Sequence, residues 1–197
     1  MHKRYLTSVR DSADRIQQPN LTCEEEVHKW ITTSPDAYCN TRDKQILSQV
    51  LKDYDQETDA FYRWTVTYSQ QELADIISEK LKMDFGEILQ LEPLARGKSG
   101  RIWRLKIVGT RKTFTIGKEL EIRRTLSKTH LLSSAFVVET GECVDGVPQS
   151  FTLRGAGWGH GVGLCQIGAA VMGCKGFSYH DILLHYYTEA QIKKAYK

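Results

Sequence analysis

Glycine occupies every second position from Gly155 to Gly163 in the stretch GAGWGHGVGLCQIGA, Gly155 to Ala169. That spacing opposes helix, because each interior glycine costs roughly 0.5–1 kcal/mol relative to alanine. In an extended segment successive side chains point to opposite faces. Gly155, Gly157, Gly159, Gly161 and Gly163 then leave one face bare, and Ala156, Trp158, His160 and Val162 line the other. A bare face lets a second backbone or a ligand come close. The competing reading is a run of turns that use positive φ.

Several chemistries can be tested against this stretch. No register gives GxGxxG, since the third glycine position falls on His160, Val162, Leu164 or Gln166, and no GKS or GKT follows. The dinucleotide and P-loop readings therefore fail. A metal reading would gather His160, Cys165, Cys174, His180 and His185, but their spacings match no compact zinc pattern. Cys165 near a helix start with His160 as base is conceivable as a nucleophile, yet HxxxxC alone is a weak signal. An indole, an imidazole and an amide on a glycine-opened surface suit a sugar better. Trp158 stacks on apolar C–H faces, and His160 and Gln166 meet hydroxyls.

The chain has 197 residues, enough for one domain or two small ones with a true core. No apolar run approaches the length of a membrane helix, and MHKRYLTSVRDSADR carries no apolar signal-peptide core. The five cysteines are odd in number, widely spaced and without CxxC, so the expectation is free thiols, with no metal and no cofactor. The net charge of +3 hides −6 over residues 1–95 and +9 over residues 96–197, with ten basic residues between Arg96 and Arg124. A basic face suits an anionic polymer such as nucleic acid, teichoic acid or cell-wall glycan.

Along the chain, residues 1–59 read as helical and polar. Thr22-Cys23-Glu24-Glu25 fits a capping box, and Gln45 to Tyr54 an amphipathic helix. Residues 60–147 read in the order β-α-β-β-α-β, with FYRWTVTY a strand, Ser69 capping QQELADIISEKL, and ILQLEPL and RIWRLKIVG joined by ARGKSG. This order predicts an α+β fold with a subdomain like a split βαβ sandwich. Residues 148–197 read as a strand, FTLRG, feeding the glycine stretch, then the helices QIGAAVMGC and DILLHYY, the second opened by a capping box at Ser178.

The sequence GAGWGHGVGLCQIGAAVMGCKGFSYHDILLHYY resembles the C-terminal signature of the stage II sporulation protein D / amidase enhancer LytB family. The turn Arg96-Gly97-Lys98-Ser99-Gly100-Arg101, Ala135-Phe136 in a strand and the opening Tyr5-Leu6-Thr7-Ser8-Val9 are similar to the same family. Full-length members resemble lytic transglycosylases that cut glycan strands stripped of stem peptides. The resemblance implies a general acid glutamate in a Glu-Met-Pro-like segment, and no such segment occurs in this chain: Met1, Met83 and Met172 follow no glutamate. It implies that Gly157, Trp158, Gly159, His160, Gly161 and Gln166 bind glycan, with Ser99, Arg101, Tyr186 and Tyr187 in support and the catalytic residue unknown. The expected role is a C-terminal fragment of a peptidoglycan-acting protein of the cell envelope, inactive in lysis alone. Its implied partners are peptidoglycan strands and either a wall amidase or a missing N-terminal half. A non-catalytic amidase-enhancing module is the alternative. Nucleic-acid binding ranks third, and no nucleic-acid partner is expected.

Overall fold

The computed structural model describes residues 5–14, 18–51, 60–193 and 195. In chain order the elements are α1 (Glu24–Thr32), α2 (Lys44–Val50), β1 (Arg63–Ser69), α3 (Gln70–Leu81), β2 (Ile88–Arg96), β3 (Ile102–Gly109), β4 (Thr113–Gly117), α4 (Glu119–Thr125), β5 (Phe136–Thr140), β6 (Cys143–Val144), β7 (Val147–Pro148), β8 (Ser150–Ala156), α5 (Gln166–Cys174) and α6 (Tyr179–Tyr186). This is an α+β protein, with three small antiparallel sheets among the described residues. Its chain divides into two compact units. A sheet unit comprises Pro19–Ser34 and Arg63–His160. A helical unit comprises Met1–Gln18, Pro35–Tyr62 and Gly161–Lys197.

In the sheet unit the order β1-α3-β2-β3-β4-α4-β5 has one strand, β4, more than the anticipated β-α-β-β-α-β, and long-range pairing distributes the strands over two three-stranded sheets. β2, β3 and β4 form one meander, while β8 lies between β1 and β5 in the other. α3 is capped at its start by Ser69, whose hydroxyl accepts the Glu72 N–H at 3.3 Å, and at its end by Lys82 with φ 54°. Its apolar face, Leu73, Ile76 and Ile77, is buried with Ile88, Leu105, Ile107, Phe136, Phe151 and Leu153 in the main core. Burial of each such side chain contributes about 1.5–3 kcal/mol. α1 opens at Cys23 rather than Thr22, and no side chain caps it. Its Val27 and Ile31 pack with Val137 and Ala156.

Arg96 fastens α1 to this unit. Its side chain is wholly buried, donates to Glu24 through Nε and Nη2 (2.8 Å to Oε2), and donates to the carbonyls of Gly100 (2.9 Å) and Phe136 (2.8 Å). One side chain of the basic stretch is thus an interior strut.

The centre of the β1–β8–β5 sheet explains one glycine. Gly155 on β8 lies opposite both Trp64 on β1 and Phe136 on β5. A Cβ at Gly155 would overlap the indole of Trp64, which meets the Phe136 ring at 6.4 Å between centroids. The missing side chain is the space that the indole fills.

In the helical unit, α2, α5 and α6 carry a smaller core of Tyr38, Val171, Met172 and Tyr186, flanked by Ile46, Leu164 and Ile182. α2 ends at Val50, and the end of the anticipated helix, Tyr54, lies outside the described residues. α5 covers QIGAAVMGC as anticipated. α6 opens on the expected box, with the Ser178 hydroxyl accepting the Asp181 N–H and the Asp181 carboxylate accepting the Ser178 N–H. Among the described residues no helix is long and apolar enough to cross a membrane.

Candidate functional site

β8 ends at Ala156, and the chain beyond it is not an extended strand with a bare face. Gly157, Gly159, Gly161 and Gly163 all have positive φ, between 66° and 81°. The turn reading of the alternation is therefore the one realised. Left-handed backbone costs an L-residue about 1–2 kcal/mol, and four such positions in alternation select glycine at each. Among Gly155, Gly157, Gly159 and Gly163, Gly155 has the closest approach of another group, the Trp64 indole.

In the sheet unit the loop is held by its backbone. Trp64 donates its indole N–H to the Gly157 carbonyl at 3.1 Å. The Gly159 N–H donates to the Leu132 carbonyl at 2.8 Å. Arg101 donates from Nε to the Gly159 carbonyl (3.2 Å) and from Nη1 to the Ser99 carbonyl (3.0 Å). Ser99, Arg101 and Gly157–His160 are thus brought together. The fork of Arg101 binds backbone on both sides, which gives it a positioning part. Within this pinned loop Trp158 is half-buried and His160 is exposed.

The helical unit holds the remaining predicted residues. Gly163 and Leu164 meet Tyr187: the Leu164 N–H donates to the Tyr187 hydroxyl at 3.4 Å, and a Cβ on Gly163 would stand 3.3 Å from that oxygen. Gln166 is exposed in the first turn of α5, on a shallow depression of about 420 Å³ lined also by Gln49, Val50, Leu164, Ala169 and Ala170. Tyr186 is buried and donates to the Asp11 carboxylate, so it supports the unit from inside.

Around Tyr186 lies a cluster for which the sequence carried no local signal. Asp11, Cys39 and Cys165 place a carboxylate oxygen and two sulfurs within 4.8 Å of one another. The Asp11 carboxylate also accepts the Cys39 N–H at 2.9 Å, and Cys165 Sγ, at the N-cap of α5, accepts the Gly168 N–H at 3.4 Å. A Cβ on Gly168 would overlap the Asp11 carboxylate and the Tyr186 hydroxyl. The hydrogen bond from Cys39 holds the Cys165 thiol below the usual thiol range, aided by the α5 N–H groups of Gly168 and Ile167. That hydrogen bond, with burial and the Asp11 charge, pushes Cys39 up. Burial, then the Asp11 charge, pushes the Tyr186 phenol up. Of the sequence's own metal set, Cys165 alone belongs to this group. Cys174 and His180 are exposed.

A larger open depression, about 940 Å³, runs along α3 beside Asp84, Arg111 and Gln149. It contains none of the predicted residues. Two carboxylates of the sheet unit are paired, Glu92 with Lys106 at 2.8 Å and Glu119 with Arg123 at 3.5 Å.

Fold and loop together define an α+β protein whose central sheet strand runs into a backbone-pinned, left-handed glycine loop. A family model described as a domain of unknown function (DUF8618) matches residues 1–163, and the chain belongs to that family. The match takes in Ser99, Arg101 and the loop through Gly163, and stops short of Gln166, Tyr186 and Tyr187. No curated protein matches the chain.

Proposed function

We propose that this chain is a glycan-contacting portion of a peptidoglycan-acting protein of the cell envelope, without a catalytic acid of its own. The observation that carries the reading is the pinned loop Gly157–His160. Its backbone polar groups are engaged by Trp64, Leu132 and Arg101, while the Trp158 and His160 side chains reach its surface. A rigid loop carrying an indole and an imidazole binds a sugar ring without first paying the entropy of ordering itself. Trp158 stacks on the pyranose face and His160 meets hydroxyls. The resemblance of the glycine stretch to the sporulation protein D / amidase enhancer signature supports denuded glycan strands as the ligand, and a wall amidase or an acid-bearing segment as the partner.

Nucleic-acid binding is the weaker reading of the basic stretch. Arg96 and Arg123 are buried, and Lys106 and Arg111 are paired with Glu92 and Asp84. These cations are spent inside the protein or on neighbouring carboxylates.

Co-sedimentation tests the proposal. The chain is expected to pellet with amidase-stripped peptidoglycan more than with intact peptidoglycan, and to release no anhydro-muropeptides. Equal pelleting with both, or the appearance of anhydro products, would contradict it.

A further inference from the structure

We infer that Asp11, Cys39 and Cys165 form a binding site for a thiophilic divalent cation of the zinc class, independent of the glycan reading above. Three donors from three distant parts of the sequence converge within 4.8 Å. Around a tetrahedral zinc ion, with Zn–S near 2.3 Å, two sulfurs stand about 3.8 Å apart and a sulfur and a carboxylate oxygen slightly closer. The cluster therefore closes on an ion with movements of about an ångström or less. Two thiolates select zinc over calcium or magnesium, which take oxygen donors.

The groups behind the donors are those that a metal site uses. Ligating carboxylates are themselves hydrogen-bonded in such sites, and Asp11 receives the Tyr186 hydroxyl and the Cys39 N–H. Each carboxylate oxygen keeps a second lone pair for the ion. Cys165 Sγ receives the Gly168 N–H at the start of the nine-residue α5, where the helix dipole favours a thiolate. Gly168 itself leaves the space that Asp11 and Tyr186 occupy. Two thiolates and a carboxylate carry three negative charges, and a dication offsets two of them. On binding, each thiol releases its proton to solvent and its sulfur lone pair forms the bond to the metal. Three protein ligands leave a fourth position for water, the arrangement of an open site rather than a closed structural one.

The test uses the full chain, reduced, loaded with Zn2+ or Co2+ and freed of excess metal. The expected result is about one metal per chain and, with Co2+, a near-ultraviolet thiolate-to-metal charge-transfer band. Cys165→Ser removes the band and the tight binding, while Cys174→Ser, at an exposed cysteine, leaves both unchanged. Tyr186→Phe keeps the ring but frees the carboxylate, and lowers zinc affinity about 10–100-fold. Circular dichroism reports whether each variant folds, and Tyr186→Phe carries the test if Cys165→Ser does not. Three results would overturn the inference: no bound metal with all five thiols reduced, binding indifferent to both variants, or a Cys39–Cys165 disulfide whose formation zinc does not slow.

Discussion

Three successive glycines of the sheet unit carry different burdens, and alanine at each separates them. At Gly155 the new Cβ overlaps the Trp64 indole between two paired strands. The indole must move away from Phe136 and give up its hydrogen bond to the Gly157 carbonyl. Overpacking costs about 1–3 kcal/mol, and the lost hydrogen bond about 1 kcal/mol more. The sum is about 2–4 kcal/mol for Gly155→Ala. At Gly159, with φ 81°, a Cβ meets nothing within 4 Å, so only left-handed strain remains, about 1–2 kcal/mol. At Gly157, with φ 67°, the Cβ also stands 3.1 Å from Arg101 Nη2, which adds a few tenths at the tip of a flexible side chain. All four tryptophans, Trp30, Trp64, Trp103 and Trp158, belong to the sheet unit, so urea unfolding followed by indole fluorescence reports that unit. With a slope of about 2 kcal/mol per molar urea, Gly155→Ala lowers the midpoint by about 1–2 M and Gly159→Ala by about 0.5–1 M. Equal shifts, or a larger shift for Gly159→Ala, would refute the steric account of Gly155.

Arg96→Met removes the donors to two buried carbonyls, those of Gly100 and Phe136, and destabilises the sheet unit by about 3 kcal/mol in the same urea assay. Its partner Glu24 has a half-exposed side chain, so Glu24→Gln has the smaller effect of the two. Ser178→Ala removes the cap of α6 and costs about 1 kcal/mol, read as faster hydrogen exchange of the α6 amides at fixed pH. The Gly86 N–H, then the Arg111 guanidinium, hold the Asp84 carboxyl below its ordinary 3.8. Its contribution to stability is complete above that value and is lost as pH falls through the lower folded midpoint. Carboxyl-carbon titration by NMR is expected to place the Asp84 midpoint below 3.8. Arg111→Ala moves the midpoint up without restoring it fully, because the backbone bond persists.

Local signals made the helices legible and long-range pairing hid the rest. Ser69 and Ser178 announce α3 and α6 because a cap is written within four residues of sequence. α5 is bounded by the glycines before it and by Lys175-Gly176 after it. The place of β8 between β1 and β5 could not be read the same way, since pairing Trp64 with Gly155 joins residues far apart in the chain. The glycine stretch is legible, but its period of two left strand geometry and a run of left-handed turns both open. Alternating left-handed and ordinary residues produce the same period, and composition cannot separate the two. Asp11, Cys39 and Cys165 were invisible for a similar reason. Compact metal motifs are read from short spacings, and these donors are brought together by folding alone. The quoted opening Tyr5-Leu6-Thr7-Ser8-Val9 stops two residues before the carboxylate.

Sugar binding by the pinned loop is tested most directly by isothermal titration with a soluble, peptide-free glycan oligomer of the wall type. The wild-type chain is expected to bind it, and Trp158→Ala to bind about tenfold more weakly, about 1.4 kcal/mol for a lost stacking surface, with the fold intact by circular dichroism. No heat from the wild-type chain, or the same Kd in the Trp158→Ala variant, would contradict the assignment of the loop to glycan.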